Sequence, residues 1–439
     1  MSDFYYDFSD GSTTLAGDTT LYDTVHFGDD TGVFDWRNFA MARNGNNLVL
    51  YANNGNSIEI TGYYLSHYPR IEWLDISGQG DLIYLPDFEG ANPAGSDPFS
   101  TYGSNGNDYL MGGNVSGAGV YGEAGEDVIY SGYASHVHGG SGSDIIYASS
   151  HVSGANYYGE SDHDTIYGNV LAEYLYGGDG NDMLYGGAGI DTLDGGAGID
   201  TANFSDATAV VGVNLSTGVT AYDGFGYSET ITGVENVTGS GYADEITGDS
   251  AANLLNGNAG NDTIHGNAGD DTLYGMDGND ALYGESGLDT IISGAGTDYL
   301  YGGDDTDSLN GGTQQDFLYG QNGDDTLYTG EGADYLYGGA GSDIFALYDT
   351  PTHDNDMAYV LDWATGDKID LSALLVGYGA LNNNILDFVN ILVGANTTIQ
   401  VDRNGLDGGN GWDNVLRLQG VSVFDSYVPT LISNGTLLV

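Results

Sequence analysis

The chain has 439 residues, 74 of them glycine and none cysteine, with 64 acidic side chains against six basic ones and a formal net charge of −58. That charge excludes nucleic acid as a partner and disfavours anionic membranes, while the missing cysteines exclude disulfides, thiol chemistry and zinc–thiolate sites. Acidity alone would describe a disordered chain, but 40% of the residues are hydrophobic and 35 are tyrosine, set at intervals that disorder does not require.

Residues 1–100 carry no short repeat. The opening MSDFYYDFSDGSTT has neither a basic nor an apolar stretch of the Sec-signal kind, and no apolar run approaches the ~18 residues of a membrane helix. Any export signal is therefore expected elsewhere in the chain. Residues 38–76 predict two or three strands joined by Asn-Gly turns at Asn44-Gly45 and Asn54-Gly55. Residues 85–100, with three of the six prolines, read as a linker. Together 1–100 are expected to form a β-rich cap module and linker covering the first exposed coil of the repeat region.

From 101 to 203 a glycine-and-aspartate pattern appears, half regular. Its aspartates are Asp108, Asp127, Asp144, Asp164 and Asp182, spaced by 19, 17, 20 and 18 residues. Between them lie irregular turns at 112–121, 131–138 and 148–158. One side of a coil is thus expected to keep its aspartates while the other has degenerated; both become regular at Asp182, Asp191 and Asp200. The similar strings YASHV (133–137) and YASSHV (147–152) would put His136 and His151 on neighbouring coils. With His138 and His163 nearby, a transition-metal site competes with the plainer reading of solvated turn histidines. Residues 204–238 alternate apolar and polar side chains and read as a β interlude, structural rather than functional.

From Gly239 to Ala346 the chain divides into twelve nonapeptides without insertion or deletion. With Gly239 as position 1, position 6 is Asp244, Asn253, Asp262, Asp271, Asp280, Asp289, Asp298, Asp307, Asp316, Asp325, Asp334 and Asp343. Position 8 is almost always Leu or Ile. Six residues of turn, rich in glycine, lead into three of strand, whose eighth side chain points inward and whose seventh and ninth point out. Two nonapeptides close one coil, and coils stacked ~4.8 Å apart set the Leu and Ile columns into a thin core. Stacking also brings the aspartates of successive coils together, an arrangement that like charge opposes unless a hard cation lies between them. Calcium suits it, since it accepts six to eight oxygens in flexible geometry and glycine turns offer carbonyls beside carboxylates.

The pattern G-G-x-G-x-D-x-(apolar)-x resembles the RTX (repeats-in-toxin) family. That resemblance implies an all-β fold, a calcium-bound parallel β-roll in two blocks, 101–203 and 239–346, between small β-rich terminal modules. It implies calcium as cofactor, held by Asp108, Asp127, Asp144, Asp164, Asp182, Asp191, Asp200, Asp244, Asp262, Asp271, Asp280, Asp289, Asp298, Asp307, Asp316, Asp325, Asp334 and Asp343. Asn253 and Glu173 depart from the pattern, which puts their two sites in doubt. Residues 38–76 resemble the β-rich module found beside such arrays. Five segments of 338–439, among them VLDWATGDKIDLSALL (360–375) and DNVLRLQGV (413–421), resemble the C-terminal target domain of type I secretion substrates, so 347–439 is expected to engage an ABC-transporter apparatus and to cap the roll.

No H-E-x-x-H and no G-x-S-x-G occurs, which argues against a metalloprotease or a lipase, and the repeat itself explains the abundant carboxylate pairs. A non-enzymatic role is expected. Outward positions of the second block place Tyr283, Tyr301, Tyr319, Tyr337, Tyr299, Phe317 and Tyr335 on one sheet, with Thr272, Thr290, Ser308 and Thr326 opposite. Such a ladder stabilises a sheet by stacking or serves a partner. Two functions fit: a secreted structural protein that assembles with itself at or beyond the cell surface, as a layer, filament or matrix component, or an adhesin that binds cell-surface polysaccharide through the aromatic face.

Overall fold

The computed structural model describes residues 100–347 apart from 104 and 113–116, then 357–374, 389–392, 396–402, 412–419 and 437–438; before residue 100 it describes the backbone of eight strands. Every element among the described residues is a strand. The chain forms two compact units, Met1–Asn203 with Gly226–Val234, and Phe204–Phe225 with Glu235–Val439.

The first unit opens with two small sheets. In one of them Phe39–Asn44 and Asn47–Ala52 form an antiparallel pair in which Asn44 faces Asn47, and Ser57–Thr61 joins antiparallel on the other side. The two or three strands expected of 38–76 are present as these three, with a fourth, Trp73–Asp75, in the other small sheet; the turns at 45–46 and 53–56 and the linker at 85–99 lie outside the described residues. Then two parallel sheets face each other. One stacks Thr101–Tyr102, Gly119–Ala124, His136–Ser141, Ala155–Ser161, Glu173–Asp179, Thr192–Ala197 and Thr230–Thr232; the other stacks Tyr109–Met111, Val128–Tyr130, Ile145–Tyr147, Thr165–Asn169, Met183–Gly187 and Thr201–Asn203. Between them Ile129, Ile146, Ile166 and Leu184 meet Val120, Val137, Leu175 and Leu193, all fully buried. Tyr157 enters this core in a place held elsewhere by an aliphatic side chain, and burial pushes its phenol up to about 12.

The second unit repeats the design with a stricter period. A hairpin, Val211–Asn214 with Val219–Asp223, lies parallel to Glu245–Thr247. From there each strand pairs in parallel with the strand 18 residues on, as Thr263 does with Ala281 and Tyr299 with Phe317. Position 8 is the core: Ile246, Leu255, Ile264, Leu273, Leu282, Ile291, Leu300, Leu309, Leu318, Leu327 and Leu336 are fully buried. Beyond residue 347 the sheets continue. Ala358–Val360 pairs with Tyr335–Leu336, and Lys368–Asp370 pairs with Ile344–Ala346 and, on its far side, with Leu437–Leu438. Trp412–Leu418, the last strand of an antiparallel meander, lies against Ala358–Val360.

This is the all-β parallel roll that the nonapeptide spacing predicts, with one difference. Many strands run six residues, not three, because pairing resumes in the turn at positions 2 and 3, as between Glu285 and Gly303. Position 2 takes a left-handed φ, 78° at Glu285 and 129° at Gly303, so the chain bends while its amides still point along the stack. Asn258, Asn267, Met276 and Gln321 do the same without being glycine.

Candidate metal centre

Each turn delivers one aspartate to the edge of the roll, and the side chain has two distinct surroundings. Its Oδ1 accepts the backbone N–H of the aspartate one coil earlier. In the first unit these bonds run Asp108 to Asp127, Asp127 to Asp144, Asp144 to Asp164, Asp164 to Asp182 and Asp182 to Asp200, at 2.7–2.8 Å. The sequence separations vary between 17 and 20, but the bond does not, so the irregular spacing is absorbed elsewhere in the coil. In the second unit two such columns run, one along each edge. One passes through Asp244, Asp262, Asp280, Asp298, Asp316 and Asp334. The other passes from Asn253 through Asp271, Asp289, Asp307, Asp325 and Asp343 to Asp367.

The other oxygen, Oδ2, is buried without a hydrogen-bond partner in Asp127, Asp144, Asp164, Asp182, Asp262, Asp271, Asp280, Asp289, Asp298, Asp307, Asp316, Asp325 and Asp343. It hangs over position 1 of its own turn: a Cβ built on Gly122, Gly139 or Gly284 would collide with Asp127, Asp144 or Asp289. That glycine therefore makes room for a carboxylate, whereas the glycines at positions 2 and 4 serve backbone conformation. A buried, unpaired carboxylate is costly. Burial first, then neighbouring aspartates, push Asp127 and Asp262 up to about 7, Asp307 to about 8 and Asp316 to about 9, against the relief of the N–H each accepts.

Not every predicted ligand is in this state. Asp244 is closed off: Oδ2 accepts the Ser240 N–H at 2.5 Å, and Oδ1 accepts the Ser240 hydroxyl and the Val211 N–H, both at 2.7 Å. Asp108, Asp200 and Asp334 are buried in the same columns, and Asp191, also buried, accepts the Glu173 N–H on the opposite edge of the first unit. Asn253 accepts from Asp249 N–H and donates to the Glu235 carbonyl, and both Glu173 oxygens accept from Asn169. The two departures from the pattern are thus satisfied by protein groups alone.

The donor set fits calcium. It consists of hard oxygens, the carboxylates are buried and short of partners, and turn carbonyls lie beside them. Among the described residues no three His, Asp or Glu side chains converge. A cation here would take a large part of its shell from backbone carbonyls, which calcium accepts.

The opposite edge of the first unit is different. Where the aspartate would stand, the coils carry Ala118, Ser135 and Ala155 before Glu173 and Asp191 appear. Side chains tie the coils together instead. Ser131 Oγ accepts the Ser149 N–H at 2.8 Å, the Ser149 hydroxyl donates to the Gly132 carbonyl, and Asn169 Nδ2 donates to the Ser149 carbonyl at 3.0 Å and to Glu173 at 2.7 Å.

The histidines are dispersed. His136 lies on a strand with Nδ1 at 2.9 Å from the Ser135 hydroxyl, and His151 sits in a turn with its ring 4.3 Å from that of Tyr133. Stacking of the coils sets Tyr133 beside His151, and His136 in register with Asn156. His138 stacks between Tyr121 and Tyr158 and meets Glu160 at 2.6 Å. His163 Nδ1 accepts the Asn181 N–H at 2.8 Å. That role belongs to position 5, where Asn107, Asn181, Asn261, Asp270, Asn279 and Asp324 likewise accept an N–H from the following coil. Sequence reading missed this outer ladder, although the run of Asn and Asp before each aspartate was its signal.

The aromatic ladders are present. His265, Tyr283, Tyr301, Tyr319 and Tyr337 stack in one row at 4.5–4.8 Å, and Tyr299, Phe317, Tyr335 and Tyr359 in a second at 4.7–5.1 Å. The first unit holds two more, Tyr102–Tyr121–His138–Tyr158–Tyr176 and Tyr130–Tyr147–Tyr167–Tyr185, which the irregular spacing concealed. The planes are close to parallel, so each ring spends its faces on its neighbours and shows its edge.

Residues 102–114, 167–202, 229–264, 238–273, 256–291, 283–318 and 310–345 match the family model described as RTX calcium-binding nonapeptide repeat (4 copies). The chain therefore carries RTX repeats, and these are calcium-binding repeats. No curated protein matches the chain.

Proposed function

We propose that the protein is a secreted, non-catalytic structural protein that folds on meeting extracellular calcium and assembles with itself at or beyond the cell surface, as a surface layer, filament or matrix component. The observation that carries this reading is the column of buried carboxylates with one oxygen bonded and the other unpaired, repeated along the regular part of the chain. The aspartates named above are its ligands, those with a free Oδ2 first among them and Asp244, whose oxygens are taken by Ser240 and Val211, excepted. Such sites, if of the extracellular type, bind at roughly 10⁻⁴ to 10⁻³ M, so a cytosolic chain stays unfolded and exportable. Outside the cell, many weak sites act together on the folded state. Residues 347–439 would serve as type I secretion target and cap, and 1–100 as the opposite cap. The stacked ladders favour the structural reading over the adhesin: sugars pack on exposed ring faces, and here the neighbouring rings cover those faces.

Circular dichroism tests the calcium step. The expected result is a coil spectrum in chelator and a β spectrum in millimolar calcium, reversible on chelation; a β spectrum indifferent to chelator overturns it. Secretion of a chain lacking 347–439 at the parent level would remove the export role of that segment.

A further inference from the structure

The hydrogen-bonded edge of the first unit shows no acidic side chain to solvent. Its turns, 131–135, 148–154, 168–172 and 186–190, read SGYAS, ASSHVSG, GNVLA and GGAGI, with His151 their one titratable side chain besides Tyr133, and the acidic residues that follow the last two, Glu173 and Asp191, are buried. The opposite edge, over 122–127, 159–164 and 177–182, carries Glu123, Glu126, Glu160, Asp162 and Asp179 in addition to its ladder aspartates. No lysine or arginine occurs between Arg70 and Lys368, so no basic side chain of the roll itself offsets that charge. The uncharged edge is also where large apolar side chains stand in solvent: Val170 is 63% and Ile190 66% exposed, one coil apart, with Tyr133 and His151 in ring contact on the coils before. The Ser131, Ser149, Asn169 and Glu173 hydrogen bonds hold these turns in place.

We propose that this edge is a docking surface for a second copy of the chain, meeting the same edge of its partner. Charge decides the occupant. Pairing through any aspartate-bearing edge sets acidic surface against acidic surface, and like charges across a contact oppose it. Along this edge Val170 and Ile190 can be buried against their counterparts without desolvating an ion. A two-fold contact uses the same patch twice, which a patch that is apolar and neutral throughout permits. Four coils at ~4.8 Å make it only about 20 Å long. That is short of the ~1,200 Å² of a stable isolated dimer, so the contact suits an array in which it recurs. This inference rests on the self-assembly reading and adds the surface that performs it.

The test is sedimentation velocity over a concentration series of the full chain in millimolar calcium. The double variant Val170→Asp, Ile190→Asp changes two exposed side chains and is expected to keep the β spectrum of the parent. It should weaken self-association by about tenfold or more. The control Ile199→Asp, Leu288→Asp alters exposed apolar residues in aspartate-bearing turns and should associate as the parent does. A third chain, with Tyr299, Tyr301, Phe317 and Tyr319 changed to Ser, separates the two readings. If the edge variant associates like the parent while the ladder variant does not, the edge proposal is overturned and self-assembly stands. A parent that stays monomeric throughout the series, including one that instead binds a neutral polysaccharide, overturns both.

Discussion

The first and second units are built on the same coil and tied by different means. In the second, both edges carry aspartate columns, and a coil between Asp271 and Asp316 is held on each side by a carboxylate with one unpaired oxygen. In the first, one edge keeps that column from Asp127 to Asp182, while the other is closed by serine, asparagine and a glutamate that find their partners within the protein. The fold therefore tolerates either tie. What differs is what each leaves unfinished: a carboxylate column asks for a cation, and the hydrogen-bonded edge does not.

Removal of calcium should expose that difference most strongly. Hydrogen exchange followed along a calcium titration is expected to show 117–203 protected at lower calcium than 244–343, because half as many buried charges must be neutralised per coil. Equal midpoints would mean that the hydrogen-bonded edge does not reduce the requirement. Next in size are single ligands. In calcium, Asp144→Ala should cost the first unit about 2–3 kcal/mol, the loss of a buried charge-assisted bond together with a ligand. Asp289→Ala should cost the second unit visibly less, since its coil keeps a carboxylate tie on the other side. Local exchange at 128–147 and at 272–291 measures both.

The hydrogen-bonded edge can be broken on its own. Asn169→Ala removes the Nδ2 donor from Glu173 Oε1 and from the Ser149 carbonyl, leaving Oε2 its backbone N–H, and should cost about 1–3 kcal/mol, at saturating and at limiting calcium alike. A loss seen only in calcium would place a cation there after all. A last contrast comes from pH. The folded-state pKa values of Asp127, Asp262, Asp307 and Asp316 stand above the ordinary 3.8. The chelated fold therefore holds protons that the unfolded chain has released, and its stability falls as pH rises from about 4 to about 9. Lowering the pH of the chelated protein from 8 to 5 should raise its β signal. In calcium the slope should flatten or reverse, because binding needs the deprotonated ligand.

These contrasts also mark how far the sequence could be read. The second block was legible almost residue by residue, because a strict nine-residue period puts Leu300 inside, Tyr301 outside and Asp307 at the edge with no tertiary information. The first block was legible only on the side where aspartates recur. Nothing in the strings around Ser131, Ser149 and Asn169 announces that they bond to one another, since their separations of 18 and 20 residues become contacts only once the coils are stacked. For the same reason, although His136 and His151 lie on neighbouring coils as the similar strings suggested, the residue His151 meets there is Tyr133. The distinct fates of the two carboxylate oxygens were likewise invisible, because a motif names a residue and not its atoms.

The aspartate ladder has a direction. Each position-6 carboxylate reaches back to the coil before it, whereas the position-5 side chains reach forward, so within this inner ladder every coil is completed by its successor in the chain. Asp367 does this for Asp343, at 3.2 Å and outside the nonapeptide register. In that column, then, a segment beyond the repeats supplies the first anchor on which the row can be laid down. A strand added from the C-terminal side finds its carboxylates waiting; one added from the N-terminal side leaves an amide exposed until its successor arrives. The roll has a grain, as wood does, and it should split and mend more easily along one sense than the other.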